Sequence, residues 1–537
     1  MHRRARLLIA AVLLVAAACS SGHGKVAESG QAATSTTAAP TTVTEPTTTT
    51  TAAPTTTAAP APSTTAGQPS PAPPVTSPGG LRWAACGTLQ CATLTVPRHY
   101  ADPAGPTLTL ALARRPARTP AARIGSLLIN PGGPGDSGVD DLPGELRSLT
   151  ATLQNRFDIV SWDPRGVERS APVHCSDPNA KPAPSSGGDG GGSVLDPAPT
   201  DDAGKKALAD AYRAAGEECL KWSGDLLGDV GTDATVEDLE RIRIALGEDK
   251  LTFIGHSAGT LLGAVYADRY PPRVRAVVLD GPIDPSLTLD QMTRAQAVGF
   301  EGALRSFFAW CNATATCAWR PANPDRTAAF TALMDKVRQE PLKASNNRIV
   351  GVDTFVSGTM SRLTARSRWP SLGDALAAAE RGDGSPLATL ASNYQNAGAT
   401  NAADARQSIL CLDHPAPRNP DDYPALAEAS KADAPVFGPV FTWAALSCGV
   451  WPVPSTLIPK PTRAAGSAPI LVVGTTGDPA TPQGWARSLA GQFEHGVLVL
   501  RQGAEHVAYY YSACVRAIVD RYVVDGHPPA NGTTCAS

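Results

Sequence analysis

Leu251-Thr-Phe-Ile-Gly255-His256-Ser257-Ala258-Gly259-Thr260 is the stretch on which the fold is decided. It opens as a short apolar, β-rich run, and residues 261–269 continue it with helical spacing. Between the two, small residues flank a serine on each side. That is the pattern of a tight strand-to-helix turn that leaves the serine hydroxyl exposed. Working outward, similar apolar or β-branched runs occupy residues 107–113, 126–130, 157–163, 276–280, 469–474 and 496–500. Continuous runs of this length fit central strands covered on both faces. Helical patterns lie between them, as at residues 238–246, where Thr235 and Asp238 suggest a weak capping arrangement. The alternation predicts an α/β fold with a mostly parallel central sheet.

At 537 residues the chain suits a large core plus an inserted unit. Residues 284–445 lose the strand runs and carry helical stretches, such as 295–310 and 328–337. They are expected to form a helical cap inserted between two parts of the core, 81–283 and 446–537. Residues 180–199 are rich in Gly, Ser and Pro and read as a surface loop.

Ser257 needs a general base and an acid to orient it. Of the histidines after the cap, His495 precedes the last strand and His527 lies in a Pro-rich tail. His506 follows the last strand and is the expected base. The acid is expected at Asp478, in Gly474-Thr-Thr-Gly-Asp-Pro-Ala-Thr481, with Asp280 the alternative and Thr481 supporting the acid loop. The order Ser, Asp, His is that of the α/β-hydrolase fold. Asn130-Pro-Gly-Gly-Pro-Gly135 follows an early strand and lets the backbone approach a substrate carbonyl. Gly133 and Ala258 are the expected oxyanion donors. The run lacks the Lys-Ser/Thr or dinucleotide spacing of a phosphate loop. This chemistry needs no metal or cofactor.

The N-terminus adds a compartment. His2-Arg-Arg-Ala-Arg6 is basic, and residues 7–18 are an apolar run too short to span a bilayer. Val15-Ala-Ala-Ala-Cys19 followed by Ser and Gly is similar to a bacterial lipoprotein signal. Cleavage after residue 18 would leave Cys19 as the acylated first residue; plain secretion is the alternative. Residues 19–80, mostly Thr, Ala, Pro and Ser, cannot bury enough apolar surface to offset their ordering entropy. They are expected to form a tether with a reach of roughly 40–45 Å. The expected location is therefore the outer face of the cell membrane or the envelope, with membrane contact only through the anchor. Apart from Cys19, ten cysteines remain in an exported chain and read as disulfides. Sequential pairing is expected: Cys86–Cys91, Cys175–Cys219, Cys311–Cys317, Cys411–Cys448 and Cys514–Cys535. The formal net charge of −3 gives no basic stripe for nucleic acid.

The run 130–135 resembles the oxyanion loop of the proline iminopeptidase family, and Asp163-Pro-Arg-Gly-Val-Glu-Arg-Ser170 resembles that family's next segment. Trp83, Cys86, Cys91-Ala-Thr-Leu-Thr-Val-Pro97, Cys311, Cys317 and the tail from Cys514 to Cys535 resemble its actinobacterial tripeptidyl aminopeptidase-like branch. The resemblance covers residues 81–535 and implies release of short peptides, of tripeptidyl or prolyl type, from peptide N-termini. Some relatives act as esterases. A carboxylesterase acting on lipid or small esters, or a non-catalytic envelope lipoprotein that binds a ligand, are the other readings. Three positions depart from the family pattern: Ala258 replaces a Tyr, Glu168 stands where Gly is common, and 503–507 is less Gly-rich. An aminopeptidase needs a carboxylate for the substrate's α-amine. Glu301, Asp413 and Glu168 are the candidates, with an ordinary solvated or paired acid as the alternative for each.

Overall fold

The computed structural model describes residues 75–76, 79–179, 195–345, 348–395 and 401–536. The expected signal 1–18, Cys19, most of the tether and most of the loop 180–199 lie outside them. Eleven strands form one sheet: β1 (Val75–Thr76), β2 (Arg82–Cys86), β3 (Leu89–Pro97), β4 (Thr107–Arg115), β5 (Gly125–Asn130), β6 (Phe157–Trp162), β7 (Leu251–His256), β8 (Val274–Asp280), then β11 (Ile470–Thr475), β12 (Gly496–Arg501) and β13 (Thr533–Cys535). A separate two-stranded sheet joins β9 (Leu342–Lys343) and β10 (Ile349–Val350) inside the segment 284–445. The order in the large sheet is β1-β2-β3-β4-β6-β5-β7-β8-β11-β12-β13. Pairing is antiparallel from β1 to β6 and parallel from there on. The sheet is thus mostly parallel, as expected of an α/β-hydrolase.

Every residue of β5, β6, β7 and β11 is buried. The strand period explains this. Leu128, Phe253, Val277 and Val472 pack on one face with Val236 and Leu262; Leu127, Ile254, Val278 and Val473 pack on the other with Leu142 and Val519.

Three local expectations change. Ordered pairing starts inside the predicted tether, because Val75 and Thr76 pair with Trp83 and Arg82. The segment 284–445 is helical but holds the β9–β10 pair. The helix predicted from 238 runs over Thr232–Leu246. Its N-cap is Gly231, which has no side chain to mark a start. The cap comes instead from Asp413, 181 residues away, which accepts from the Thr232 N–H and hydroxyl, each at 2.7 Å.

Asp238, freed from any capping role, forms a fork with Arg165, at 2.7 Å from Nε and 2.6 Å from Nη2. Both side chains are fully buried. Arg165 also donates to the Arg98, Asp229 and Pro97 carbonyls, so the buried charges are satisfied. Asp163, two residues earlier, accepts from the Ser137 hydroxyl and the Val139 N–H. The segment after β6 is thereby fastened to the helix Gly138–Ser148 that follows the glycine loop.

The helices between β8 and β11 build a second core around Phe300, Phe307, Trp319, Phe330 and Phe441, which Val173, Leu208, Tyr212 and Leu227 from the segment before β7 also join. Disulfides join Cys86–Cys91, Cys175–Cys219, Cys311–Cys317, Cys411–Cys448 and Cys514–Cys535, the sequential set. Cys411–Cys448 ties the helix Ala402–Asp413 to the helix Phe437–Gly449.

Candidate active site

Ser257 caps β7 with φ 52°, a strained value for a non-glycine residue, in the turn before the helix Gly259–Arg269. The flanking glycines are required by close approach. A Cβ on Gly255 would lie 2.5 Å from the Gly259 carbonyl oxygen, and one on Gly259 would lie 2.5 Å from Asn130 Oδ1. The Ser257 N–H donates to the Asp280 carbonyl at 2.9 Å, which sets the elbow against the end of β8.

The glycine loop after β5 meets this elbow. A Cβ on Gly132 would lie 2.5 Å from the His256 carbonyl oxygen and 3.0 Å from the Ala258 nitrogen. Gly133 has φ 104°, and both Gly133 and Ala258 line the pocket that holds Ser257. The loop is held from the cap side. Arg406 donates to the Pro134 carbonyl at 3.2 Å and to Asp136 Oδ1 at 3.1 Å. Burial raises the Asp136 carboxyl above its ordinary range, and the Arg406 charge opposes that shift.

Two loops after β11 and β12 carry the acid and the imidazole. They are stitched together by Thr476 N–H to the Arg501 carbonyl at 2.9 Å and Gly477 N–H to the Gly503 carbonyl at 2.8 Å. Asp478 Oδ1 accepts from the Ala480 and Thr481 N–H groups, each at 2.9 Å, and Oδ2 from the Thr481 hydroxyl at 2.9 Å. His506 Nδ1 lies 2.8 Å from Asp478 Oδ2 and 3.2 Å from Thr481 Oγ1. With Nδ1 held by a carboxylate, Nε2 is the nitrogen left on the opposite edge. The imidazole lies beside the end of β8: a Cβ on Gly281 would lie 3.4 Å from His506 Cε1, and Gly281 directly follows Asp280, whose carbonyl accepts from the Ser257 N–H. The His506 N–H donates to the Thr364 carbonyl of the cap at 3.0 Å. Asp280, the alternative acid, accepts instead from the Ala508 and Tyr509 N–H groups and so fastens the turn after His506.

The three candidate amine ligands separate. Glu301 is buried away from the pocket and accepts from the Val436 and Phe437 N–H groups at the start of the helix Phe437–Gly449. It caps that helix and is not among the residues that line the pocket. Glu168 lies outside the pocket lining, at φ 39°, a left-handed position that favours glycine. Asp413 lines the pocket. Burial pushes its carboxyl up to about 7 against the pull of Thr232. Burial also pushes the adjacent His414 down to about 4, so at neutral pH it adds no positive charge beside Asp413. Leu261, Leu262, Ile283, Met292, Ile409 and Leu410 give the pocket its apolar wall.

Sequence reading missed Arg406, Thr364 and Gln296, the cap residues that reach the catalytic loops. For Gln296 a signal existed. It is a polar residue on the buried stripe Leu289, Met292, Thr293, Gln296, Phe300 of the helix Leu289–Ala313.

A family profile described as TAP-like protein matches residues 434–535. The chain is 33% identical over 469 residues to the serine protease Hip1 of Mycobacterium tuberculosis, covering 84% of this chain and 88% of that protein. Identity to carboxylesterase B of the same organism is 33% over 471 residues, covering 84% and 86%. To the tripeptidyl aminopeptidase of Streptomyces lividans it is 31% over 478 residues, covering 85% and 87%.

Proposed function

The chain belongs to the tripeptidyl aminopeptidase-like family of α/β-hydrolases and is a serine hydrolase, and from that premise we propose that it releases short peptides from peptide N-termini. The observation that carries this reading is Asp413. Of the candidate acids it alone lines the pocket that also holds Ser257. A cationic α-amine beside it would favour its charged form and gain an ion pair in a water-poor site.

The steps follow from the positions of the groups. Ser257 Oγ attacks the scissile carbonyl carbon, and its proton passes to His506 Nε2. Asp478 holds the Nδ1–H and stabilises the imidazolium. The Gly133 and Ala258 N–H groups receive the developing oxyanion, each donor lowering the barrier by about 3 kcal/mol. The C–N bond then breaks and His506 returns its proton to the leaving amine. Water attacks the acyl-enzyme by the same route, freeing the N-terminal fragment and restoring the serine hydroxyl.

A free-amine tripeptide anilide is expected to turn over at least about tenfold faster than its N-acetylated form. Equal cleavage of the two would overturn amine recognition. The apolar wall and the relative named carboxylesterase B favour a second reading, an esterase. Turnover of a p-nitrophenyl ester with none of either peptide would select it.

Export and lipid anchoring belong to the same proposal. The signal-like run before Cys19 and the five disulfides support an oxidising compartment outside the cytoplasm. Metabolically supplied palmitate is expected to label the wild type, and Cys19→Ala is expected to lose both label and membrane association. A wild-type protein without label, or a variant that stays anchored, would sink this part.

A further inference from the structure

Gln296 is 5% exposed and lines the pocket that holds Ser257 and Asp413. Its Nε2 donates to the Ala480 carbonyl at 2.7 Å. Its Oε1 has no hydrogen-bond partner. The amide cannot be turned the other way, because Oε1 would then face the Ala480 carbonyl, acceptor against acceptor. The side chain is thus clamped by one end, and its other end is a buried acceptor without a partner in a residue of the pocket wall. A buried polar atom left without a partner is costly, and native proteins keep few of them away from sites where something binds.

We propose that Gln296 is a specificity-determining residue, whose Oε1 accepts a hydrogen bond from an N–H of the acyl part of the bound peptide. The inference rests on the aminopeptidase reading and deepens it. An acceptor in the pocket that holds the nucleophile favours a peptide, which brings a donor, over an ester or depsipeptide of the same shape, which brings only oxygen. A site built to pair an N–H discriminates strongly against the analogue that lacks it, because both partners are then left unpaired. The same residue also touches the acid loop, since Ala480 N–H is bonded to Asp478 at 2.9 Å. A purely structural role through that loop would change all substrates alike, and the test has to separate the two.

The experiment compares wild type with Gln296→Met, close in size and without polar hydrogens. The substrates are a free-amine tripeptide anilide and p-nitrophenyl butyrate, and fluorophosphonate labelling of Ser257 reports an intact catalytic apparatus. Expected for Gln296→Met is a loss of roughly 10–100-fold in kcat/KM on the peptide, carried mainly by KM. Ester turnover and labelling should stay within about threefold. Parallel losses on peptide and ester, or no loss on either, would overturn the proposal. A second measurement needs no variant: in wild type, tripeptide anilides with each acyl-part N–H replaced in turn by oxygen. One replacement should cost roughly tenfold or more, and if none does the proposal fails. Wild-type enzyme that cleaves no free-amine peptide would instead count against the aminopeptidase reading itself.

Discussion

Ser257→Ala is expected to lower kcat about 10⁶-fold while leaving KM within a few-fold and the fold intact. The oxygen removed is the atom that forms the covalent bond, so no neighbouring group can take over its work. What survives is the rate advantage of an oxyanion site and of binding alone, roughly 10³–10⁴ over water. The substitution deletes one atom at a buried position, 4% exposed. Alanine keeps the β-carbon that serine already carries at φ 52°, so backbone strain is unchanged. Active-site titration with a fluorophosphonate and single-turnover kinetics check this directly. A Ser257→Ala protein that still reacts with the reagent, or keeps more than about 1% of wild-type turnover, would move the nucleophile elsewhere.

The sheet and the elbow were legible because local rules write them locally. Apolar runs as long as a strand, and glycines on both sides of Ser257, follow from burial on two faces and from a turn too tight for a Cβ. The pairing of Asp478 with His506 was legible through strand order, since each follows a strand at the same end of a parallel sheet. What was not legible depends on partners distant in sequence. Nothing near Gly231 announces a helix start, because its cap is Asp413. Nothing near Glu301 says that it caps the helix at Phe437, so it stood among the candidate amine ligands. Glu168 stood among the candidate amine ligands, whereas what the structure shows there is a left-handed backbone, which sequence does not announce at a glutamate.

The cap residues share one consequence. Arg406 holds the glycine loop, the Thr364 carbonyl holds the His506 N–H, and Gln296 holds the acid loop through Ala480. Every loop that the chemistry uses has a bond to a helix or turn of the segment between β8 and β11. The cap is therefore part of the catalytic scaffold as well as the wall of the pocket: loss of the Arg406 contact to the glycine loop is expected to reach kcat as well as KM, whereas Gln296, which meets the acid loop only at the Ala480 carbonyl, is expected to act mainly through KM.

Asp478→Asn is expected to lower kcat about 10⁴-fold at unchanged KM, whereas Asp280→Asn is expected to cost activity no more than about tenfold. The difference lies in what each carboxylate faces. In Asp478→Asn the side-chain oxygen is held where Oδ1 stands, by the Ala480 and Thr481 N–H groups. The new NH₂ then takes the place of Oδ2, which stands 2.8 Å from His506 Nδ1 in the wild type, while the retained oxygen stands 2.9 Å from the same nitrogen. A donor there favours the tautomer with Nδ1 as acceptor and the ring proton on Nε2, and the neutral amide no longer stabilises the imidazolium. An imidazole protonated on Nε2 has no lone pair for the Ser257 proton, so the geometry stays and the base is lost. Asp280 faces two backbone N–H groups, those of Ala508 and Tyr509, and no imidazole nitrogen of His506. Its asparagine keeps one acceptor and loses the other, which predicts a stability loss of about 1–3 kcal/mol, read by chemical denaturation. Should Asp280→Asn prove the inactive variant and Asp478→Asn the merely less stable one, the acid would have to be reassigned to the end of β8.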